Sequence, residues 1–346
     1  MTSAVPGRGR DLVVAGASAG GVEALRAMVA HLPADLPATV LVVLHLPRGA
    51  FSALASILRR SGPLPAEVAF DGAPLRHRQI FVAPADHHLL VAEGRVRLSR
   101  GASENGHRPA IDPLFRSAAR AYGSRVIGVV LSGARDDGSA GLATIAAHGG
   151  ATLVQDPGEA LYGSMPGNAL EVVPSATVAT AAELGTLVAQ RTRDDVPWPP
   201  FGVEIEPDPV DLVTPGALGA EPPPVFSCPS CQGGLYEIRA SDSIRYRCRV
   251  GHIWIPQALL DEQGAALEAA LWMALRSLAD KAALARRMAA ASLARGNDAA
   301  ADRYTARALE AEGASKLIAE LISHGDALND ADDTDLTGEP QPDGGR

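Results

Sequence analysis

Cysteine and aromatic residues are scarce in this chain of 346 residues. It has three cysteines, and aromatic residues make up only 4 % of the sequence. All three cysteines lie between residues 228 and 248, which excludes the disulfide framework of a small secreted protein. With so few aromatic rings, the core has to be built mostly from Ala, Val, Leu and Ile.

The chain also has no excess of positive charge and no long apolar run. Lys and Arg total 31 against 40 Asp and Glu, and the formal net charge of -9 argues against a protein that coats nucleic acid. No apolar run reaches the roughly 20 residues that span a bilayer, and no signal peptide follows the basic N-terminus. We therefore expect a cytoplasmic protein with no membrane insertion.

Strand-like and helix-like segments alternate between residues 11 and 190. The strand-like runs are at 12–15, 39–44, 80–83, 88–92, 95–99, 125–131, 151–155 and 176–179, and the helical patterns are at 21–31, 50–60, 109–122, 140–148 and 181–190. The alternation predicts an α/β fold, a mostly parallel doubly wound sheet with helices on both faces. Glu93-Gly94 separates two of the strands and predicts one β-hairpin.

Composition divides the rest of the chain into four further segments. Residues 191–225 are rich in Pro and acid and predict a linker. Residues 226–255 hold the cysteines, and residues 256–328 are alanine-rich with leucines at helical spacing. Gly296-Asn297-Asp298 ends one helix and begins another, so we expect a helical hairpin there. The acidic tail 329–346 is predicted to be disordered.

A small-residue turn with one serine follows the first predicted strand. The glycines of Gly16-Ala17-Ser18-Ala19-Gly20-Gly21 allow a sharp turn. Ser18 would lie at the carboxyl edge of the sheet, near the amides of the next helix, where it can act as a nucleophile. The alternative is a phosphate or dinucleotide loop, but the G-x-G-x-x-G spacing and the P-loop lysine are absent.

Two more polar residues come just after predicted strands. Because the carboxyl ends of parallel strands meet at one edge, Ser18, His45 and Asp137 can form a triad in which His45 is the base. Taken singly, His45 would be a structural histidine and Asp137 a helix cap, and Asp136 is an equally good candidate for the aspartate. The chain order also differs from that of the α/β-hydrolases, although residues 16–20 fit G-x-S-x-G.

A series of motifs runs in order through residues 11–190 and resembles the catalytic domain of the CheB family, the chemotaxis protein-glutamate methylesterases. The motifs are Gly16-Ala17-Ser18-Ala19-Gly20-Gly21, His45-Leu46-Pro47, Phe81-Val82-Ala83-Pro84-Ala85-Asp86-His87-His88, Arg108-Pro109-Ala110-Ile111-Asp112-Pro113, Leu131-Ser132-Gly133 with Asp137-Gly138, and Gln155-Asp156-Pro157 with Met165-Pro166. In that family the aspartate stands directly before the glycine, so the resemblance selects Asp137 over Asp136.

The resemblance implies an activity and a partner. It implies a Ser18–His45–Asp137 triad that hydrolyses glutamyl methyl esters on the cytoplasmic helices of chemoreceptors or a related signalling protein, and that deamidates glutamines. No cofactor for catalysis is implied. The backbone amides of Ala19 and Ala134 are the expected oxyanion donors.

The chain also departs from the family at two positions of its sequence and in its expected domain organisation. Ala19 stands where threonine is often found, and Arg135 lies in a loop where the family commonly has Gly-Met-Gly. The catalytic pattern begins at Asp11, so we expect no N-terminal phosphoacceptor domain and no control by phosphorylation in cis.

The cysteines and one histidine have the spacing of a zinc ribbon. Cys228-x2-Cys231 is followed, after sixteen residues, by Cys248-x3-His252. Four protein ligands complete a tetrahedron, so we expect a structural Zn²⁺ that supplies most of the folding free energy of this small unit. The alternative is a chance cluster of free thiols.

Two side-chain stripes in the C-terminal half have open interpretations. A basic stripe of Arg245, Arg247 and Arg249 favours a solvated face or a protein contact, and no nucleic-acid partner is expected. The helical hairpin carries apolar stripes made of Leu267, Leu271, Leu275, Leu278, Leu317 and Leu321. Either the two helices bury each other's stripe, or the stripes form a dimer or partner surface.

These features together predict a serine methylesterase with a structural zinc unit. One alternative is a catalytically weak or inactive zinc-bearing regulatory or scaffold protein of a sensory pathway, in which the same site binds a partner. A zinc-ribbon nucleic-acid binder is a further alternative, which the charge balance disfavours.

Overall fold

The structure is a computed structural model that describes residues 9–46, 52–197, 226–240 and 243–332. Its largest sheet has seven parallel strands. The first nine strands are β1 (Leu12–Ala17), β2 (Thr39–Leu44), β3 (Ala66–Val68), β4 (Gln79–Val82), β5 (His88–Ala92), β6 (Arg95–Ser99), β7 (Val126–Val130), β8 (Ala151–Gln155) and β9 (Thr177–Ala179). Seven of them pair in parallel in the order β3-β4-β2-β1-β7-β8-β9. The other two, β5 and β6, form the predicted antiparallel hairpin.

Helices cover both faces of the sheet. They are α1 (Gly21–Ala30), α2 (Leu54–Ser61), α3 (Ile111–Tyr122), α4 (Ser139–Ala147), α5 (Ser164–Val172) and α6 (Ala181–Arg191). Side chains alternate along β1, so Val13 and Ala15 join the core shared with α1, α2 and α6, while Leu12 and Val14 join the core shared with α3, α4 and α5. The predicted fold class, a doubly wound parallel α/β sheet, is confirmed.

Three local details differ from the sequence-based expectation. α2 begins at Leu54 and not at residue 50, and residues 47–51 lie outside the described part of the chain. The three-residue edge strand β3 is too short to produce a pattern of its own. α5 was not predicted because Pro166 and Gly167 interrupt its sequence; Pro166 lies in the first turn, where its missing N–H removes no helical hydrogen bond.

Residues 226–255 form a small antiparallel sheet, here called the cysteine unit. Its strands are β10 (Phe226–Ser227), β11 (Gly234–Ala240), β12 (Ser243–Cys248) and β13 (Ile253–Trp254), paired in chain order. Among its described residues, the buried core consists of Cys228, Leu235, Cys248 and Trp254, together with Ala258 and Leu259 from the start of the next helix, and Cys231, Tyr246 and Ile255 pack against it half-buried. The unit therefore buries little apolar surface of its own.

Two long helices complete the described chain. They are α7 (Pro256–Ala294) and α8 (Asp298–Asp332), and the Gly296-Asn297 turn between them was predicted. Gly296 is left-handed (φ 70°), and the Asn297 side chain accepts a hydrogen bond from the Ala300 N–H at 3.1 Å, which caps α8. By residue contacts the chain divides into the units Met1–Leu260 and Asp261–Arg346.

Alanine fills most of the buried positions of these helices beyond the start of α7, where Ala258 and Leu259 join the core of the cysteine unit. Among the described side chains after Leu260, the buried ones are those of Ala282, Ala285, Ala289, Ala300, Ala301, Ala308, Ala311, Ser292 and Ile322. Of the stripe leucines, Leu267, Leu317 and Leu321 are 63 %, 64 % and 62 % exposed, while Leu271, Leu275 and Leu278 are half-buried, so the two helices cover the stripes only in part. The reason is steric, because small alanines let two helices approach closely and leave the longer side chains outside.

Parts of several predictions lie outside the described residues. Most of the predicted linker, residues 198–225, and most of the predicted tail, residues 333–346, are among these. The predicted domain bounds therefore stay predictions. Among the described helices, none combines the length and the apolarity needed to cross a membrane.

Candidate active site

Ser18 is the first residue after β1 and lies on a tight turn into α1. Its N–H donates to the Ser132 carbonyl at 2.9 Å, which ties the turn to the end of β7. Gly20 takes the left-handed conformation (φ 69°), and a Cβ there would lie 2.7 Å from Ser132 Oγ. Only glycine, which has no Cβ, fits at position 20, where the ends of the two strands approach each other closely.

His45 is the first residue after β2 and lies beside Ser18. The pairing of Ala17 with Leu44 brings the next residues of both strands together, and the His45 N–H donates to the Ala17 carbonyl at 3.2 Å. Nδ1 of His45 is 3.0 Å from Ser18 Oγ, so the serine hydroxyl can donate to this nitrogen. Nε2 is 2.7 Å from Asp137 Oδ2, to which its N–H donates.

Asp137 holds the third position, between β7 and α4. Its Oδ2 also accepts from the Ile111 N–H at 2.7 Å, and its Oδ1 accepts from the Asp112 N–H at 3.2 Å. The carboxylate thus caps the start of α3 and not, as one sequence interpretation had it, the helix that follows it. His45 is bonded to Asp137 and not to the rival Asp136. The structure brings all three predicted triad residues together.

The electrostatics of Asp137 favour its charged form. Burial alone would raise its pKa, but the hydrogen bond and the charge of His45, the charge of His107 and the Ile111 N–H outweigh this and hold the pKa of Asp137 below its usual range. A charged Asp137 keeps the proton of His45 on Nε2. Nδ1 is then free to accept the proton of Ser18.

A turn that sequence reasoning missed packs against this site. Glu104 and His107 exchange backbone hydrogen bonds of 3.2 and 2.8 Å around Asn105 and Gly106, which have φ angles of 50° and 79°. These positive angles are typical of a type I′ turn, for which Asn-Gly is the preferred sequence. The Asn-Gly pair was the available signal, although it predicts a turn and not the contacts of its side chains. We call residues 103–107 the Asn105 turn.

Both side chains of interest in the Asn105 turn contact the triad. The Asn105 Nδ2 donates to Asp137 Oδ1 at 3.2 Å and to Asp112 Oδ2 at 3.3 Å. The His107 ring stacks on the His45 ring, with centroids 3.7 Å apart and an angle of 10° between the planes. Burial and the neighbouring His45 lower the pKa of His107 to about 4, so at neutral pH its ring is uncharged.

Asp112 is a second buried carboxylate close to Asp137. Its Oδ1 accepts from the N–H groups of Gly141 at 2.6 Å and Gly138 at 3.2 Å, so it holds the loop that carries Asp137 to α3. Burial and the charge of Asp137 raise the pKa of Asp112. The Asn105 amide lies between the two carboxylates and donates to both, which lowers the cost of keeping them together.

Ser132 links the serine turn to Gln155 at the end of β8 and to the backbone of Tyr162. Its Oγ donates to the Ala19 carbonyl at 2.8 Å and accepts from the Tyr162 N–H at 3.1 Å, while its own N–H donates to Gln155 Oε1 at 2.8 Å. Ala19, which follows Ser18, and Ala134, which follows Gly133, are the predicted oxyanion donors. Within the described part of the chain, neither of their N–H groups donates to a protein acceptor.

Comparison with known proteins identifies the domain that carries this site. The family model described as CheB methylesterase matches residues 13–188, about half of the chain. The chain belongs to the CheB methylesterase family. The crystal structure of the Thermotoga maritima CheB methylesterase catalytic domain superposes with a TM-score of 0.50 at 30 % sequence identity, covering 54 % of this chain and 99 % of that one. The predicted family resemblance is thereby confirmed.

Curated relatives carry names of the same kind. A protein-glutamate methylesterase/protein-glutamine glutaminase of Myxococcus xanthus is 43 % identical over 157 residues, which cover 45 % of this chain and 44 % of the relative. One from Anaeromyxobacter dehalogenans is 46 % identical over 47 % of this chain and 48 % of its own length, and one from Symbiobacterium thermophilum is 40 % identical over 50 % and 49 %. The match thus spans about half the length of these relatives.

A second cluster of reactive side chains lies in the cysteine unit, outside the CheB methylesterase domain. The Sγ atoms of Cys228, Cys231 and Cys248 and a ring nitrogen of His252 lie within 4.8 Å of one another. His252 Nδ1 is 3.6 Å from Cys228 Sγ and 3.5 Å from Cys248 Sγ, and the sulfurs of Cys231 and Cys248 are 3.6 Å apart. The four predicted ligands are therefore together.

These separations fit a tetrahedral metal site. Zn–S bonds of about 2.3 Å and Zn–N bonds of about 2.0–2.1 Å at tetrahedral angles place two sulfurs about 3.8 Å apart and a sulfur and a nitrogen about 3.5 Å apart. The three distances above lie close to these values. Three thiolates and one imidazole are also a donor set that Zn²⁺ prefers, so the cluster can hold a metal ion.

The predicted basic stripe, whose Arg245 and Arg247 lie on β12 and whose Arg249 follows directly after it, is not a uniform solvated face. Arg245 is 4 % exposed, Arg247 is half-buried and Arg249 is exposed. The guanidinium of Arg249 lies 5.8 Å from the centroid of the Tyr236 ring, at the distance of a cation–π contact. The pKa of Asp112 is raised by burial and by Asp137, and the inward charge of Arg245 offsets a part of that rise. Arg245, the first arginine of the stripe, is therefore buried in the interior of the first unit and not part of a solvated face.

Proposed function

We propose that the chain is a serine hydrolase that removes methyl groups from glutamate side chains of chemoreceptors or related signalling proteins. The observation that carries the proposal is the hydrogen-bonded line from Ser18 Oγ through His45 to Asp137, in a domain of the CheB methylesterase family. The names of the curated relatives support the same activity and add the deamidation of glutamines. The proposed site residues are the triad and the amides of Ala19 and Ala134.

The first half of the reaction forms an acyl-enzyme. Ser18 Oγ attacks the ester carbonyl carbon while Nδ1 of His45 takes the hydroxyl proton. The negative charge that develops on the carbonyl oxygen is stabilised by backbone N–H groups, for which Ala19 and Ala134 are the candidates. Asp137 stabilises the imidazolium through the Nε2 proton. The intermediate then expels the methoxy group, which takes the proton from Nδ1 and leaves as methanol.

The second half regenerates the serine. A water gives its proton to Nδ1 of His45 and attacks the acyl carbon, and the bond to Ser18 Oγ breaks as that oxygen takes the proton back. The product is a glutamic acid side chain, which releases its proton to solvent and becomes the carboxylate. With a glutamine substrate the leaving group is ammonia and the other steps are the same, so one triad serves both reactions.

We further propose that the cysteine cluster holds a structural Zn²⁺. The ligand distances and the donor set support this assignment, and the small core of the unit supplies a reason for a metal. Four protein ligands leave no open position for substrate. When bound, the ion would cross-link the two ends of the unit, and no step of the hydrolysis passes through it.

The proposed activity is tested by methanol release from methylated receptor membranes. The full chain is compared with Ser18→Ala and Asp137→Asn, and with Ser56→Ala as a matched control, because Ser56 is an exposed serine of α2 bonded to Arg59. We expect release by the wild type and the control only. If the wild type releases no more methanol than Ser18→Ala on several receptors, the enzyme proposal fails and the alternative, a regulatory or scaffold protein that binds a partner through this site, is favoured.

A further inference from the structure

The cysteine unit is joined to the Asn105 turn by backbone hydrogen bonds. The Asn105 N–H donates to the Ile253 carbonyl at 3.0 Å, and the Ile253 N–H donates to the Ser103 carbonyl at 3.3 Å. β13 thereby continues its small sheet into the turn, with Glu104 and Ile253 bridged in parallel. The buried ring of Trp254 lies against Gly106. The unit thus contacts the segment that contacts the triad.

The Asn105 side chain bonds to both sides of this junction. Its Oδ1 accepts from the Ile255 N–H at 3.3 Å, while its Nδ2 donates to Asp137 and Asp112. The opposite orientation of the amide would set its oxygen against two carboxylates and its nitrogen against an N–H donor. The Ile255 amide therefore fixes the orientation in which Asn105 supports Asp137.

The position of β13 depends on the metal ligands. His252 directly precedes Ile253, and Cys248 N–H donates to the His252 carbonyl at 3.0 Å, so two of the four ligands lie at the end of β12 and the start of β13. The unit has only a small core of its own. A metal on the four ligands would therefore order the strand that the Asn105 turn is bonded to.

We propose that the metal-loaded cysteine unit positions the triad through the Asn105 turn, so that loss of the metal lowers catalysis while every triad residue remains present. The proposal rests on the proposed function of the triad and adds a means of controlling it. Asn105 is a positioning residue, since it acts on the reaction through Asp137. Two links run from the turn to the triad, the Asn105 amide to Asp137 and the His107 ring to His45.

The test uses the full chain in five forms: the wild type, Cys231→Ser, Asn105→Ala, the double variant that combines these two substitutions, and the matched control Ser230→Ala. Ser230 is exposed and adjoins Cys231, but it offers no ligand atom. Three quantities are measured for each form: bound Zn²⁺ after dialysis, kcat and KM for methanol release, and hydrogen exchange of the amides of residues 103–112. The wild type is also measured after chelation and after return of Zn²⁺.

We expect one Zn²⁺ in the wild type, the control and Asn105→Ala, and none in Cys231→Ser. Chelation and Cys231→Ser should lower kcat by about 10- to 100-fold with little change in KM, as expected when catalytic groups are displaced and substrate binding is kept. Exchange of the Asn105 amide should accelerate in the same samples. Asn105→Ala should lower kcat similarly, and adding Cys231→Ser to it should lower kcat little further.

Each contrary result has a defined meaning. Wild-type protein that binds no Zn²⁺, or metal-free protein with unchanged kcat and unchanged exchange over residues 103–112, overturns the inference. Loaded wild type without Ser18-dependent methanol release overturns the proposed function instead. In that case the exchange measurement still decides whether the metal orders the Asn105 turn and the Asp137 contacts at Ile111 and Asp112.

Discussion

The rings of His45 and His107 are stacked face to face, 3.7 Å between centroids and 10° from parallel. Both ring nitrogens of His45 are hydrogen-bonded, one to Ser18 and one to Asp137. These bonds still allow the ring to tilt about the axis that joins the two nitrogens, and the stacked His107 ring restrains this motion. An uncharged His107 suits this role because a second positive charge would repel the imidazolium that forms on His45 during catalysis.

Replacement of His107 should change how stability depends on pH. Its pKa is lowered to about 4 in the fold and is about 6.5 when unfolded, so the unfolded chain binds its proton first as the pH falls. The stabilisation by neutral His107 is complete above about pH 6.5 and is lost as the pH falls toward 4. His107→Phe keeps a stacked ring that does not titrate.

The measurement is urea unfolding of wild type and His107→Phe at pH 7 and pH 5. Between these values the wild type should lose up to about 2 kcal/mol more than the variant. Other titrating groups, such as the buried His88 whose pKa is also lowered, are common to both proteins and cancel in the difference. Equal losses in the two proteins would show that His107 does not titrate in this range.

Substitution of Asn105 by aspartate should be more harmful than substitution by alanine at pH 8. Asn105→Asp preserves the shape but sets a third carboxylate against Asp137 and Asp112, both buried. The introduced group therefore has a raised pKa, and each unit of the shift costs about 1.4 kcal/mol while the group is charged. Lower pH protonates it, restores a donor and relieves the cost.

Thermal unfolding of Asn105→Asp and Asn105→Ala from pH 8 to pH 6 tests this expectation. The midpoint of the aspartate variant should rise relative to that of the alanine variant as the pH falls. If the two midpoints stay parallel, the amide at residue 105 fills space and its hydrogen bonds to the carboxylates contribute nothing measurable.

The fold and the proximity of Ser18 and His45 could be predicted from the sequence, because both follow from short-range patterns. The strands of the sheet are recognisable as Val- and Leu-rich runs. Because consecutive strands pair in parallel, the topology alone brings Ser18 and His45 to one edge of the sheet. The choice between Asp136 and Asp137 is different. It depends on which way a loop side chain turns, so it came from the family resemblance and not from the residues themselves.

What the sequence could not supply are contacts made between distant segments. Asn105 is 32 residues from Asp137 and 150 from Ile255, and no local pattern encodes a side chain that bonds to both. The metal ligands were recognisable from spacing, because two short ligand pairs must fold back on one ion. The continuation of their sheet into the Asn105 turn could not be recognised, since a single backbone pairing of this kind produces no periodic pattern in the sequence.

The exposed leucines of the second unit lead to a further prediction. Leu267→Glu should leave the stability of the helices nearly unchanged, because Leu267 is 63 % exposed, while Ala301→Glu should unfold them, because Ala301 is 2 % exposed and a buried unpaired charge costs several kcal/mol. Thermal unfolding followed by circular dichroism distinguishes the two. Strong destabilisation by Leu267→Glu, with a change in oligomeric state, would instead indicate that this stripe is covered by a partner.

The approach of Gly133 to the nucleophile gives the sharpest steric prediction for the site. A Cβ at Gly133 would lie 2.9 Å from Ser18 Cβ and 2.6 Å from Met165 Cε. The backbone has no room to withdraw, since the Gly133 N–H donates to the Tyr162 carbonyl and its carbonyl accepts from the Met165 N–H, both at 3.0 Å. Gly133→Ala must therefore displace Ser18 or Met165.

We expect Gly133→Ala to lower kcat by up to about 100-fold and to cost about 1–3 kcal/mol of stability. Gly167→Ala in α5 is the matched control, because a Cβ there meets nothing within 4 Å and alanine favours a helix by about 0.5–1 kcal/mol over glycine. The control should keep wild-type kcat and unfold at a slightly higher temperature. Wild-type kcat in Gly133→Ala would mean that Met165 alone moves, and that the position of Ser18 is held by its bond to Ser132 and not by the close fit at Gly133.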